Sequence, residues 1–169
     1  LTAVSASMTG GGFRMVAAGR YIARPTTVGK DVTIQVVSNQ GGSARPVGKY
    51  TFHVRKLPDP IAYIALGTDR FKGGGLSKAS LMGATGIQAA IDDGLLDIQF
   101  KVVNFETVFF DNMGNAVPMA SNGARFSDRQ RNAFRQLSRN KRFYISRITA
   151  VGPDGLTRKL PASMEIIVK

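Results

Sequence analysis

The stretch LLDIQFKVVNFETVFF, Leu95 to Phe110, decides how much of this chain is read. Leu96, Ile98, Phe100 and Val102 hold one parity, whereas Val103, Phe105 and Phe109 hold the other. Successive side chains point to opposite faces of a strand, so an apolar set that changes parity implies an inserted residue or a strand passing from one buried face to another. A β-bulge is therefore expected near Val102 and Val103. A strand buried on both faces is the other reading.

Downstream, SDRQRNAFRQLSR (Ser127 to Arg139) is predicted as a helix. Ser127 with Gln130 three residues on makes a capping box, and Asp128 sits where the helix dipole favours an anion. Gln130, Ala133, Phe134 and Leu137 form one stripe, with Arg131, Asn132, Arg135, Gln136 and Arg139 opposite. RFYISRITAV (Arg142 to Val151) is predicted as a strand, PDG as a turn with Gly155 at positive φ, and LTRKL and SMEIIVK as returning strands.

Upstream, IAYIALG (Ile61 to Gly67) reads as a strand, and LSKASLMGA carries a short helix opening at Ser77. KLPDPI contains two prolines that cannot join a central ladder, which sets a linker at residues 57–60 between domains 1–56 and 61–169. Before it, Val32, Ile34 and Val36, then Tyr50, Phe52 and Val54, alternate with polar residues, each set expected to face a core. FRMVA and RYIAR are weaker strand candidates. The expected fold is mainly β: an Ig-like β-sandwich-type first domain, incomplete, then an α+β domain with a sheet core and one or two helices. So short a first unit is marginal alone and should lean on upstream strands, the second domain or another chain.

The chain has 169 residues, no cysteine, one histidine and a net charge of +12. Residues 1–60 carry eight Lys or Arg against two acids (+6), residues 61–123 four against six (−2), and residues 124–169 eleven against three (+8). Basic ends favour an acidic partner surface, nucleic acid or anionic lipid. No apolar run reaches the roughly 18 residues of a membrane span. The start at Leu1, without Met or a signal pattern, is read as that of a mature piece or fragment.

Candidates for chemistry are few. His53 lies opposite Tyr50, Phe52 and Val54 and reads as a solvated strand histidine, and one imidazole cannot build a His metal site. Asp92, Asp93 and Asp97 lack calcium-loop spacing and read as a solvated turn, with a paired-carboxylate hydrolase as a distant alternative. GGGLSKAS lacks the Gly-Lys step of a phosphate loop and reads as a flexible turn before a Ser-capped helix. No catalytic, cofactor or metal residues are assigned. The functional candidate is the basic set Arg129, Arg131, Arg135, Arg139, Lys141 and Arg142, a partner-binding surface.

The order and spacing of LPDP, GGGLSKASLM, DIQFKVVNF, SNGARFSDRQRNAFRQLSR, FYISRITA and GPDGLTRKLP resemble the C-terminal part of the GldM/PorM family, the periplasmic shaft of the type IX secretion and gliding motor. The resemblance implies a non-enzymatic, homodimeric, periplasmic coupling element without cofactors. It implies an inner-membrane anchor through an N-terminal helix outside these residues. It further implies partners in a proton-driven inner-membrane motor and in a ring of lipoprotein and partner subunits at the outer membrane. It also implies further strands before LTAVSAS. The rival reading is a cell-wall or nucleic-acid binding module, a polyanion binder.

Overall fold

In the computed structural model, which describes residues 3–169, the chain divides between Leu57 and Pro58 into two units. The first holds β1 (Ala3–Thr9), β2 (Gly11–Ala17), β3 (Arg20–Pro25), β4 (Asp31–Gln40) and β5 (Ser43–His53). β1, β4 and β5 form an antiparallel sheet in that order, and β2 pairs with β3 as a separate hairpin. Gln40 opposes Ser43, leaving Gly41 and Gly42 as a two-residue connection at φ 63° and 81°. Two consecutive positive φ values are what such a hairpin turn requires, and glycine adopts them without a Cβ penalty.

This unit corrects one expectation. The alternation of Tyr50 and Phe52 is present, but these side chains are 56% and 54% exposed, and Val32 is the unit's one buried apolar residue among those described. Strand periodicity fixes which side chains share a face; it does not supply a layer to cover them, and the described residues of this unit leave Tyr50 and Phe52 uncovered.

The second unit contains β6 (Ile61–Leu66), β7 (Asp69–Phe71), β8 (Gly74–Leu76), α1 (Lys78–Gly83), β9 (Gln88–Asp92), β10 (Asp97–Phe110), β11 (Ala116–Asn122), α2 (Asp128–Gln136), β12 (Arg142–Val151), β13 (Thr157–Lys159) and β14 (Met164–Val168). Its sheet runs β7-β6-β9-β10-β12-β14-β8, with β11 also on β10 and β13 also on β12. The mainly β reading with an α+β second unit holds. The glycine run differs from expectation: Gly74 and Gly75 are not a free turn but part of β8, paired in parallel with Ile166 and Ile167 of β14. Residues 58–60 also belong to this unit rather than to a free linker. Pro60 is buried, and the Pro58 carbonyl accepts a 2.8 Å hydrogen bond from the guanidinium of buried Arg158.

The expected bulge is present, and it has a counterpart. Val102 opposes Ala150, but Asn104 opposes Thr149, so Val103 is an extra residue on β10; Glu106 then opposes Ser146, so the next extra residue lies on β12. There Arg147 is held at φ 49°. The two irregularities cancel, and Thr107 against Ile145 resumes the register of Lys101 against Val151. Burial changes parity in both strands at this level: Phe100 and Val102 give way to Phe105 and Phe109, and Phe143 and Ile145 to Ile148 and Ala150. Beyond the bulges, Phe105, Phe109, Phe126, Phe134 and Phe143 form a cluster with neighbouring ring centroids 4.9 to 5.8 Å apart. That spacing suits tilted and edge-on aromatic packing, and it seats α2 on the sheet through Phe134.

Candidate docking surface

α2 is fixed at both ends. Ser127 accepts from the Gln130 amide at 3.3 Å, and the Gln130 side chain accepts from the Ser127 amide at 2.8 Å, completing the expected capping box. Gln130 is fully buried, and its Nε2 also donates to the Met119 carbonyl of β11 at 2.9 Å. One side chain therefore closes the helix start and ties it to the sheet. At the other end, Lys78 Nζ of α1 donates to the carbonyls of Arg135 and Leu137 at 2.6 and 2.8 Å. A cation on the last turn satisfies orphan carbonyls and complements the helix dipole.

The helix is shorter than predicted and ends at Gln136. Arg139 and Lys141 therefore lie in the following turn, where Asn140 adopts φ 69°. That turn is pinned to β14, Asn140 N–H donating to the Val168 carbonyl at 2.7 Å and Val168 N–H to the Lys141 carbonyl at 2.9 Å.

The six basic candidates divide by what they touch. Arg131 is half-buried and donates at 3.1 Å to the Ala84 carbonyl at the end of α1. Arg142 pairs with Glu165 at 2.9 Å on the neighbouring strand. Arg129, Arg135, Arg139 and Lys141 are exposed and, among the described residues, form no ion pair; Arg135 donates to the Asn132 side chain at 2.7 Å. Rigid backbone thus carries four cations not neutralised by a neighbouring acid.

The other candidates have structural partners that spacing alone did not show. Arg70, lying 4.9 Å over the Tyr63 ring, reaches Asp92 at 3.1 Å and Asp97 at 3.3 Å. Asp93 accepts from the amides of Leu96 and Leu95, which holds its carboxyl below the ordinary range. The acids of IDDGLLD therefore bind a turn and an arginine. His53 Nδ1 lies 2.7 Å from Asp31, its exposed cross-strand neighbour. In the PDG turn, Gly155 has φ 75°, and Asp154 pairs with Arg158 at 2.8 Å. Among the described residues no group of three or more His, Cys, Asp or Glu side chains could hold a metal.

The unit is thus a sheet-rich structural module that holds a cationic helix and turn in place from both ends. Its family follows from comparison with known domains: residues 1–55 match the GldM third domain and residues 58–169 the GldM C-terminal domain. The chain belongs to the GldM family, whose domains are periplasmic parts of the gliding and type IX secretion machinery and structural components of its motor. No curated protein matches the chain. Among the described residues, no helix is long and apolar enough to cross a membrane.

Proposed function

We propose that this chain is a non-enzymatic coupling element, transmitting motion from an inner-membrane proton-driven motor to an outer-membrane-associated ring. In this reading the C-terminal unit meets the ring-forming lipoprotein and its partner. The chain acts as a homodimer in the periplasm, anchored through an N-terminal helix. Family membership supports the setting. The observation that carries the docking role is the cationic set Arg129, Arg135, Arg139 and Lys141, unpaired with acids and fixed by Gln130, Lys78 and β14. The backbone beneath these cations is already ordered, so only their side chains lose freedom on binding, which favours a specific interface. The exposed Tyr50 and Phe52 face supports pairing of the first unit with a second copy.

The test is association of the chain with purified ring subunits. Arg129→Glu, Arg135→Glu and Arg139→Glu together should weaken it by about tenfold or more while the melting temperature falls by only about a few degrees, the cost of placing an anion in the last turn of α2. Arg131 is left out because its reversal would disturb the α1 contact. Unchanged association rejects this face. The polyanion reading rests on the same net charge of +12, and salt separates the two: polyanion affinity collapses as counterion release predicts, whereas a packed protein interface retains much of its affinity.

A further inference from the structure

The two cancelling bulges leave the sheet's register as it would be without them, so their consequence is local. At their level the surface of β10 and β12 sinks into an open groove of about 880 Å³, bounded also by the end of β11 and by Lys159, Leu160, Pro161 and Ser163. Asn104 and Glu106 line it from β10, Ser146, Arg147 and Thr149 from β12, and Lys159 from β13. Arg147 is the notable member. Its φ of 49° is a conformation in which any Cβ is penalised and which glycine adopts freely. Such outliers persist where surrounding structure over-determines them, and bulges commonly re-aim a side chain toward a site.

That side chain is 80% exposed, and its one ion-pair partner among the described residues is Glu106, at a loose 3.6 Å. Lys159 forms no ion pair among the described residues. The groove therefore carries two cations against one carboxylate, with amide and hydroxyl groups at Asn104, Ser146 and Thr149 that can both donate and accept. We propose that it binds an extended peptide segment bearing Asp or Glu side chains. Arg147 receives a carboxylate of that segment in exchange for Glu106, Lys159 adds positive potential, and the neutral polar groups meet the peptide's main chain. The site is separate from the cationic helix and does not depend on it.

The test uses the whole chain, labelled with nitrogen-15 and titrated with an octapeptide of alternating Asp and Ser, and with its Asn-for-Asp counterpart. Saturable shifts centred on the amides of Asn104, Ser146, Thr149 and Lys159, seen with the acidic peptide alone, are expected. Arg147→Gly keeps the backbone conformation, so it should weaken binding by about tenfold without lowering the melting temperature. Glu106→Gln removes the internal competitor and should tighten binding severalfold, whereas Arg129→Glu with Arg135→Glu should leave the groove shifts intact. Absence of saturation, equal binding of the Asn peptide, shifts centred on α2, or Arg147→Gly binding as well as the parent would each overturn the assignment.

Discussion

Replacing Gln130 by Leu should loosen α2 without opening a large cavity, because the two side chains are similar in size and the site is fully buried. The substitution removes the acceptor of the Ser127 amide at 2.8 Å and the donor to the Met119 carbonyl at 2.9 Å. Losing this half of the capping box leaves the half-buried Ser127 amide without its acceptor, a cost of about 2 kcal/mol within the range for an unsatisfied donor. Met119 keeps the Thr107 hydroxyl at 3.3 Å, so its share is small. The net is about 2 kcal/mol, or a fall of roughly 8 °C in the melting temperature of a unit this size. Gln130→Glu should be worse at pH 7, since an ionised carboxylate would face the Met119 carbonyl, and should recover toward pH 4 as burial keeps the acid protonated. Calorimetry and far-UV circular dichroism read both variants. A fall below about 2 °C for Gln130→Leu would refute the view that this residue ties the helix to the sheet.

Gly86→Ala should cost about 2 kcal/mol or more, because its Cβ would lie 2.0 Å from the Ala124 carbonyl oxygen, a backbone atom of the paired segment; denaturant unfolding checks this. Arg158→Met removes the bonds to Pro58 and Asp154 from a buried site, and about 2 kcal/mol is expected, the low side for such groups because Asp154 and Asp59 can be rehydrated. Asp111 accepts from the Asn115 amide and side chain and from the Met113 amide, which lowers its pKa from the ordinary 3.8. Its contribution to stability is thus present above pH 3.8 and lost as pH falls through the lower folded value. A carboxyl titration midpoint at or above 3.8 would contradict this.

Local chemistry was legible from the chain, and long-range pairing was not. The parity change at Val102 and Val103 announced the bulge on β10 because it is written in one strand. Phe143 and Ile145 followed by Ile148 and Ala150 carry the same signal, but its meaning depends on β12 lying against β10. Ser127 and Gln130 announced their cap three residues apart, whereas Lys78 reaches the end of α2 from 57 residues away. Arg70 likewise meets Asp97 across 27 residues, which is why the acidic turn looked unpaired. Of the basic set, composition gave the sign but could not tell Arg131 and Arg142, committed to internal partners, from the cations left facing outward. Tyr50 and Phe52 show the limit most plainly: alternation defines a face and is silent on what covers it.

The most direct measurement places a photo-crosslinking amino acid at position 135 of the chain in the assembled secretion machine in living cells. A docking face on α2 should give a covalent adduct to the outer-membrane ring lipoprotein or its partner, lost when Arg129 and Arg139 are changed to Glu. Adducts to the inner-membrane motor or to polyanion alone, with ring subunits absent, would contradict it.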